Sequence, residues 1–182
     1  DYYYRRREEF NRTSDAYRKA QLFIYLNRHG YNGLCRYNAQ GGFNVPFGRY
    51  KRPYFPAAEL LAFHAKAARA EFMHLDFDLV MQSVQPGDVV YCDPPYVPLS
   101  RSANFTAYSA GGFDLPQQQR LADLAEQARQ KGVPVLISNH NTTFTRKAYR
   151  RANDIKRFAV RRFISCNGNK RQNAGELLAL FS

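Results

Sequence analysis

Four consecutive residues, Asp93-Pro94-Pro95-Tyr96, combine groups that can activate a weakly nucleophilic amine. The exocyclic amine of adenine attacks poorly because its lone pair is delocalised into the ring. Two acceptors aimed at that NH2 group draw it towards sp3 geometry and free the lone pair. Asp93 offers a carboxylate oxygen and Pro94 a backbone carbonyl. The two prolines fix φ and stiffen the turn, which keeps both acceptors pointed at a substrate. Tyr96 offers a flat face on which an extruded base can stack. A methyl group could then be displaced in line from a sulfonium, a leaving group that needs no metal. Asp-Pro alone is common as a strand exit with a turn residue. The tetrapeptide gains meaning from its context, directly after the short apolar run Val89-Val90-Tyr91-Cys92, which reads as a buried strand.

The elements around that motif alternate. Asp114 can cap a helix running through Lys131 and closed by Gly132. Val133 to Ile137 reads as a buried strand ending in Ser138-Asn139-His140, and Phe158 to Ile164 and Glu176 to Phe181 read as later strands. Strand and helix in alternation from about residue 72 imply an open α/β sheet with active groups at strand C-terminal ends. Before residue 72 the pattern differs. Ser14 or Asp15 can cap a helix with Ala16, Ala20, Phe23 and Ile24 near helical spacing, ended by Gly30. Residues 30–55 form a long irregular stretch rich in Gly, Asn, Tyr and Arg, with a hairpin tip expected at Gln40-Gly41-Gly42 between Tyr37 and Phe43. Loops of that length are functional or disordered, and the many aromatics argue against disorder. Pro56 starts a second helix reaching about Ala70. Between Val97 and Phe113, small residues, paired glycines, Phe105 and Tyr108 have the composition of a segment that can close over a base.

Composition narrows the partner. The 182 residues carry 27 Lys and Arg against 15 Asp and Glu, a net charge of +12, with 13 Tyr and 14 Phe among the basic residues. Such a surplus attracts polyanions, and rings interleaved with guanidinium groups suit nucleic acid. Cys35, Cys92 and Cys166 are odd in number and widely spaced, which argues against a disulfide framework or a zinc site and fits a reducing cytoplasm. The four histidines form no ligand-spaced cluster, and no long apolar run or leader points to a membrane.

Over essentially its whole length the chain resembles the Dam-type family of DNA adenine methyltransferases. Asp93-Pro94-Pro95-Tyr96 matches the family's catalytic motif, and the stretches YLNRHGYNGLCRYN, FNVPFGRYKRPYF, NFTAY and ELLAL are similar to that family as well. The resemblance implies transfer of a methyl group from S-adenosylmethionine to N6 of adenine in a short site of double-stranded DNA, expected to be GATC. It implies a Rossmann-like methyltransferase sheet in residues 72–182, preceded by a mostly helical DNA-recognition region with a hairpin loop in residues 1–71. A cytoplasmic, nucleoid-associated monomer of a bacterium or phage, with no metal, is the expectation.

By the same resemblance Arg36 reads a guanine, Leu34 and Pro46 touch a thymine methyl, and Tyr31 and Asn32 enter the duplex beside the flipped adenine. Tyr50 contacts a flanking base pair. Arg7, Arg28, Asn38, Asn44, Arg49 and Lys51 match phosphate contacts or sit beside them. Asp93 also matches a cofactor contact. The family carries a Phe-x-Gly-x-Gly cofactor motif ahead of the recognition region, and an N-terminal Lys/Trp/Gly segment, that these residues do not contain. The chain is therefore expected to hold only part of the cofactor site. Two other activities remain open at this point. One is methylation of N4 of cytosine or of adenine in RNA, against which the motif's Asp and the recognition loop argue. The other is DNA binding without catalysis.

Overall fold

The computed structural model describes residues 1–99, 113–161 and 173–182, whose contacts fall into two units, Asp1–Phe72 and Met73–Ser182. In the first unit, α1 (Tyr2–Arg12) packs on α2 (Ala16–His29). The turn between them is fixed by Asp15, whose carboxylate accepts from the backbone N–H groups of Tyr17 and Arg18 and so satisfies donors that a helix start leaves open. At the far end, Gly30 has an ordinary extended conformation. It must be glycine for another reason, since a Cβ there would lie 2.6 Å from the Leu26 carbonyl oxygen. The two helices bury Tyr3, Phe10, Leu22 and Leu26 against Phe43 and Val45 from the long loop. The sequence reading bounds its first helix at Ser14 or Asp15; α1 lies ahead of that.

Within the loop, Tyr31–Gly33 makes a 3-10 turn, Gly30 bridges Phe47, and Tyr37 bridges Phe43 in antiparallel fashion. Gly41 sits at the resulting tip with φ +77°, so the hairpin read from Gln40-Gly41-Gly42 is present. A third helix, α3 (Ala57–Ala67), starts after Pro56 and ends a turn short of Ala70. Its Leu61 and Phe63 are exposed.

The second unit is a mixed α/β layer. Its elements are α4 (Phe77–Ser83), β1 (Val90–Cys92), α5 (Leu115–Gln130), β2 (Val135–His140), α6 (Thr143–Ala148), β3 (Asp154–Arg161) and β4 (Asn173–Phe181). Strand order is β1-β2-β4-β3; β1 and β2 are parallel, and β4 runs antiparallel to both of its neighbours. Strand and helix alternate from β1 through β3, as expected from sequence, and β1-α5-β2 is the stretch whose two strands pair in parallel. Asp114 and Gln117 form a reciprocal capping box at the start of α5, and Gly132, at φ +80°, follows its end. The apolar face of α5 (Leu121, Leu124, Ala125, Ala128) is buried with Val133, Val135, Ile137, Leu177, Ala179, Phe181 and Tyr149. Each Val, Leu, Ile or Phe side chain among them contributes about 1.5–3 kcal/mol on burial.

One expectation is corrected. The run Val89–Cys92 does not form a buried strand. Val89 lies outside β1 and is exposed, as is Tyr91, because β1 pairs with β2 alone among the described residues. Of the expected strand Phe158 to Ile164, residues to Arg161 belong to β3 and the rest lie outside the described residues. So do most of the expected closing segment and the NFTAY stretch. No helix among the described residues is long and apolar enough to cross a membrane.

Candidate active site

Asp93-Pro94-Pro95-Tyr96 follows β1 at its C-terminal end. Because β1 and β2 are parallel, the end of β2, Ser138-Asn139-His140, lies beside it. Ser138 Oγ donates to Asp93 Oδ1 at 2.8 Å. Asn139, fully buried, spends its whole amide on the turn and its supports. Its Oδ1 accepts from the backbone N–H of Val97 and of His140, both at 2.9 Å. Its Nδ2 donates to Gln118 Oε1 and to the Tyr149 hydroxyl, both at 3.0 Å. Gln118 in turn donates through Nε2 to the Pro95 carbonyl at 2.6 Å. Backbone on both sides of Tyr96 is thus held by side chains from β2 and α5. The Tyr96 ring meets His140 edge to face, 4.9 Å between centroids, and His140 Nδ1 lies 2.7 Å from the Val97 carbonyl oxygen.

What the turn leaves open is chemically specific. The Pro95 carbonyl is occupied, whereas the Pro94 carbonyl accepts no hydrogen bond among the described residues. Asp93 is exposed, with one oxygen tied to Ser138. Three neighbours of the turn titrate above their ordinary values. Burial pushes the Cys92 thiol up to about 11 and the Tyr149 hydroxyl up to about 12, and burial is also the main cause of a raised value at Tyr96. Beside Asp93 opens an apolar pocket of about 360 Å³, walled by Leu75, Phe77, Val80, Met81 and Phe113.

The first unit gathers the other candidates on or beside its loop. Arg36 donates through Nε to Asn44 Oδ1 (2.8 Å) and through Nη2 to the Asn44 carbonyl (3.2 Å). Asn38 closes the hairpin tip, its Oδ1 accepting from the backbone of Gln40 and Gly42. Tyr31 is 52% exposed, and its backbone N–H donates to the Pro46 carbonyl. Asn32 donates its backbone N–H to the Tyr50 hydroxyl. Asn32 and Arg49 are the non-glycine residues with positive φ among those described, at 52° and 56°, a conformation that side chains other than Asn and Asp seldom adopt. Leu34 is half-buried against the aromatic core. Lys51 and Pro46 are exposed. Arg7 reaches inward, donating to the Val45 carbonyl at 3.1 Å, with its guanidinium over the Tyr4 ring. Arg28 donates to the Tyr54 carbonyl and lies over its ring, in a cleft shared with Asn32, Tyr50 and Arg52.

A family model for D12 class N6 adenine-specific DNA methyltransferases matches residues 1–163. The chain belongs to this family. It is 55% identical over 179 residues to the DNA adenine methylase of Escherichia coli (strain K12), covering 98% of this chain and 64% of that protein. It is 51% identical over 177 residues to the DNA adenine methylase of Vibrio cholerae (strain ATCC 39541 / Classical Ogawa 395 / O395), covering 97% of this chain and 64% of that protein. With the DNA adenine methylase of Serratia marcescens the identity is 53% over 182 residues, all of this chain and 67% of that protein. The chain spans slightly less than two thirds of the length of the first two of these relatives.

For a D12 class methyltransferase, the supports of this candidate turn are as telling as the turn itself, and reasoning from sequence did not single them out. Gln118 interrupts the apolar stripe of α5, and Ser138 and Asn139 end an apolar strand. Polar residues at positions that periodicity assigns to the core are the available signal, since buried polar groups must find partners.

Proposed function

We propose that the second unit transfers a methyl group to N6 of adenine and that the first unit reads the duplex site that contains it, GATC. The observation that carries this reading is the braced Asp93–Tyr96 turn, with one Asp93 oxygen fixed and the Pro94 carbonyl accepting no bond among the described residues. Asp93 and Pro94 accept from the two N–H bonds of the target amine and concentrate electron density on its nitrogen. Tyr96, braced at both flanks, stacks on the extruded base. Hydrogen bonds set in place before the substrate arrives need no reorganisation during reaction, which is where such sites gain most of their rate.

The donor on this reading is S-adenosylmethionine, which supplies a methyl group on a sulfonium. The residues present fit it: the apolar walls beside Asp93 suit a purine ring, and the carboxylate suits a cationic group. The mixed sheet is read as part of a Rossmann-like methyltransferase sheet. In the first unit, Arg36 pairs with a guanine through the guanidinium edge that Asn44 does not occupy. Leu34 and Pro46 contact a thymine methyl, Tyr31 and Asn32 fill the gap left by the adenine, and Tyr50 contacts a flanking pair. Arg7, Arg28, Asn38, Asn44, Arg49 and Lys51 serve the phosphates. The exposed Tyr31 ring and the strained backbone at Arg49 support a working surface here.

The test uses a full-length protein in which this chain replaces the matching 64% of the Escherichia coli relative. Labelled methyl from S-adenosylmethionine should appear on adenine of a GATC duplex, and not on the same duplex with that adenine already methylated. Label on cytosine, on RNA alone, or on neither strand would overturn the reading.

A further inference from the structure

Ser138 is buried, yet its hydroxyl faces four polar groups, the Tyr96 hydroxyl among them. Oγ lies 2.8 Å from Asp93 Oδ1, 3.3 Å from the Cys92 carbonyl oxygen and 3.1 Å from the Tyr91 hydroxyl. The parallel register pairs Tyr91 with Leu136, so Tyr91 and Ser138 share one side of the sheet. A hydroxyl has one proton to give. A carboxylate and a carbonyl only accept, so the Ser138 proton goes to one of those two, and Tyr91 is the donor to Ser138. Between the two acceptors the carboxylate wins: its contact is shorter, and hydrogen bonds to charged acceptors are roughly twice as strong as neutral ones. The chain of bonds therefore runs in one direction, from Tyr91 through Ser138 to Asp93.

We propose that Ser138 is a positioning residue for Asp93: its hydroxyl, itself held by Tyr91, ties down Oδ1 and leaves Oδ2 as the oxygen presented to the target amine. The inference rests on the methyl-transfer reading above and adds a reason why an exposed carboxylate holds one orientation. The prolines fix the backbone of the turn, but they do not fix the Asp93 side chain. Asn139 and Gln118 bind backbone at 95 and 97 and do not reach the carboxylate. Only Ser138 among the described residues donates a side-chain hydrogen bond to it.

The experiment uses the full-length chimeric methyltransferase. Ser138→Ala should lower kcat by about tenfold to a hundredfold, the scale expected when a reacting group is misplaced by roughly an ångström. KM for the duplex should change little, because the role assigned to Ser138 is to orient Asp93 and not to bind DNA. Ser138→Thr keeps the hydroxyl and should restore kcat, which a packing role alone would not require. Tyr91→Phe removes the donor that orients Ser138 and should lower kcat by a smaller factor; Tyr91 is exposed, so the fold does not depend on it. An unsubstituted chimera that transfers no methyl counts against the methyl-transfer reading itself. An active chimera whose Ser138→Ala form keeps its kcat, or whose Ser138→Thr form stays as slow as the alanine variant, overturns the positioning role alone. Should Ser138→Ala fail to fold, Tyr91→Phe decides, and an unchanged kcat in that variant overturns the proposal.

Discussion

Two irregular stretches carry the candidate chemistry, and they are braced in different ways. In the second unit the turn at 93–97 is held by buried, neutral side chains of the sheet and of α5, Asn139 and Gln118, and Asn139 is itself held by Tyr149 at the end of α6. In the first unit the proposed recognition loop is held from below by α1. Tyr3 and Arg7 both donate to the Val45 carbonyl, and Asn11 both donates to and accepts from the backbone of Phe43. Both devices satisfy backbone groups that regular structure would otherwise pair. The difference lies in what remains outside. The candidate catalytic turn leaves two acceptors among the described residues; the proposed recognition loop leaves cations and rings. A methyl-transfer site needs a few fixed atoms, whereas a duplex surface needs many contacts of modest strength.

The largest expected effect separates these roles outright. In the chimera, Asp93→Ala should lower methyl transfer by about two to three orders of magnitude, the usual loss for a preorganised polar group, while duplex affinity stays with the first unit. Near-normal methylation, or an equal collapse of DNA binding, would erase the division of labour. Alkaline pH should distinguish the braces. The folded second unit retains the Cys92 proton up to about 11 and the Tyr149 proton up to about 12, above their ordinary values of 9.0 and 10.0. Both groups are thus more easily ionised when unfolded. Stability is intact below those ordinary values and falls as pH rises through the window, by roughly 3 kcal/mol for the two pH units at Tyr149. Denaturant melts from pH 9 to 12 should show this slope, and Tyr149→Phe should flatten it more than Tyr3→Phe. In the first unit burial also raises Tyr3, but the Arg7 charge opposes it. Equal slopes in both variants would contradict the contrast.

How much of this was legible follows from what local pattern can encode. Asp15, Asp114, Gly132 and the presence, though not the burial, of the strand leading to Asp93 were readable, because caps and short apolar runs are written in neighbouring residues. α1 was not, since Tyr3, Arg7 and Phe10 form its inner stripe and the central member is a cation. α4 and α6 are too short for periodicity to register. The insertion of β4 between β2 and β3 is a long-range pairing with no local signature. The buried Asn139, and with it the brace of the turn, was hidden because a polar residue closing a strand reads equally well as a loop residue.

A smaller effect sharpens the recognition side. Arg36→Ala should cost about 1–3 kcal/mol at one base pair, the worth of a good bidentate base contact. Binding by this chain to the GATC duplex and to duplexes changed at single positions measures it. A loss that is the same on all sequences would make Arg36 a phosphate contact and leave the loop without a reader for guanine.

The smallest effect asks whether the recognition loop needs its brace. Asn11 makes two bonds to Phe43, accepting from its N–H at 2.8 Å and donating to its carbonyl at 3.1 Å, in the manner of a neighbouring strand. Removing both in Asn11→Ala should cost about 1–2 kcal/mol, since each hydrogen bond nets about 0.5–1.5 kcal/mol. The loss should be local, because Phe43 stays packed against Phe10 and Val45 keeps its bonds to Tyr3 and Arg7. Hydrogen exchange at the Phe43 amide should accelerate, while amides in the middle of α2 and in β2 stay protected. Discrimination between GATC and altered duplexes should fall along with it, because the Arg36 guanidinium is fixed by Asn44, the next residue in the chain. Faster exchange at Phe43 with discrimination intact would show that DNA itself orders the loop. The contrast with the catalytic turn, which is braced in advance, would then be one of timing as well as of composition.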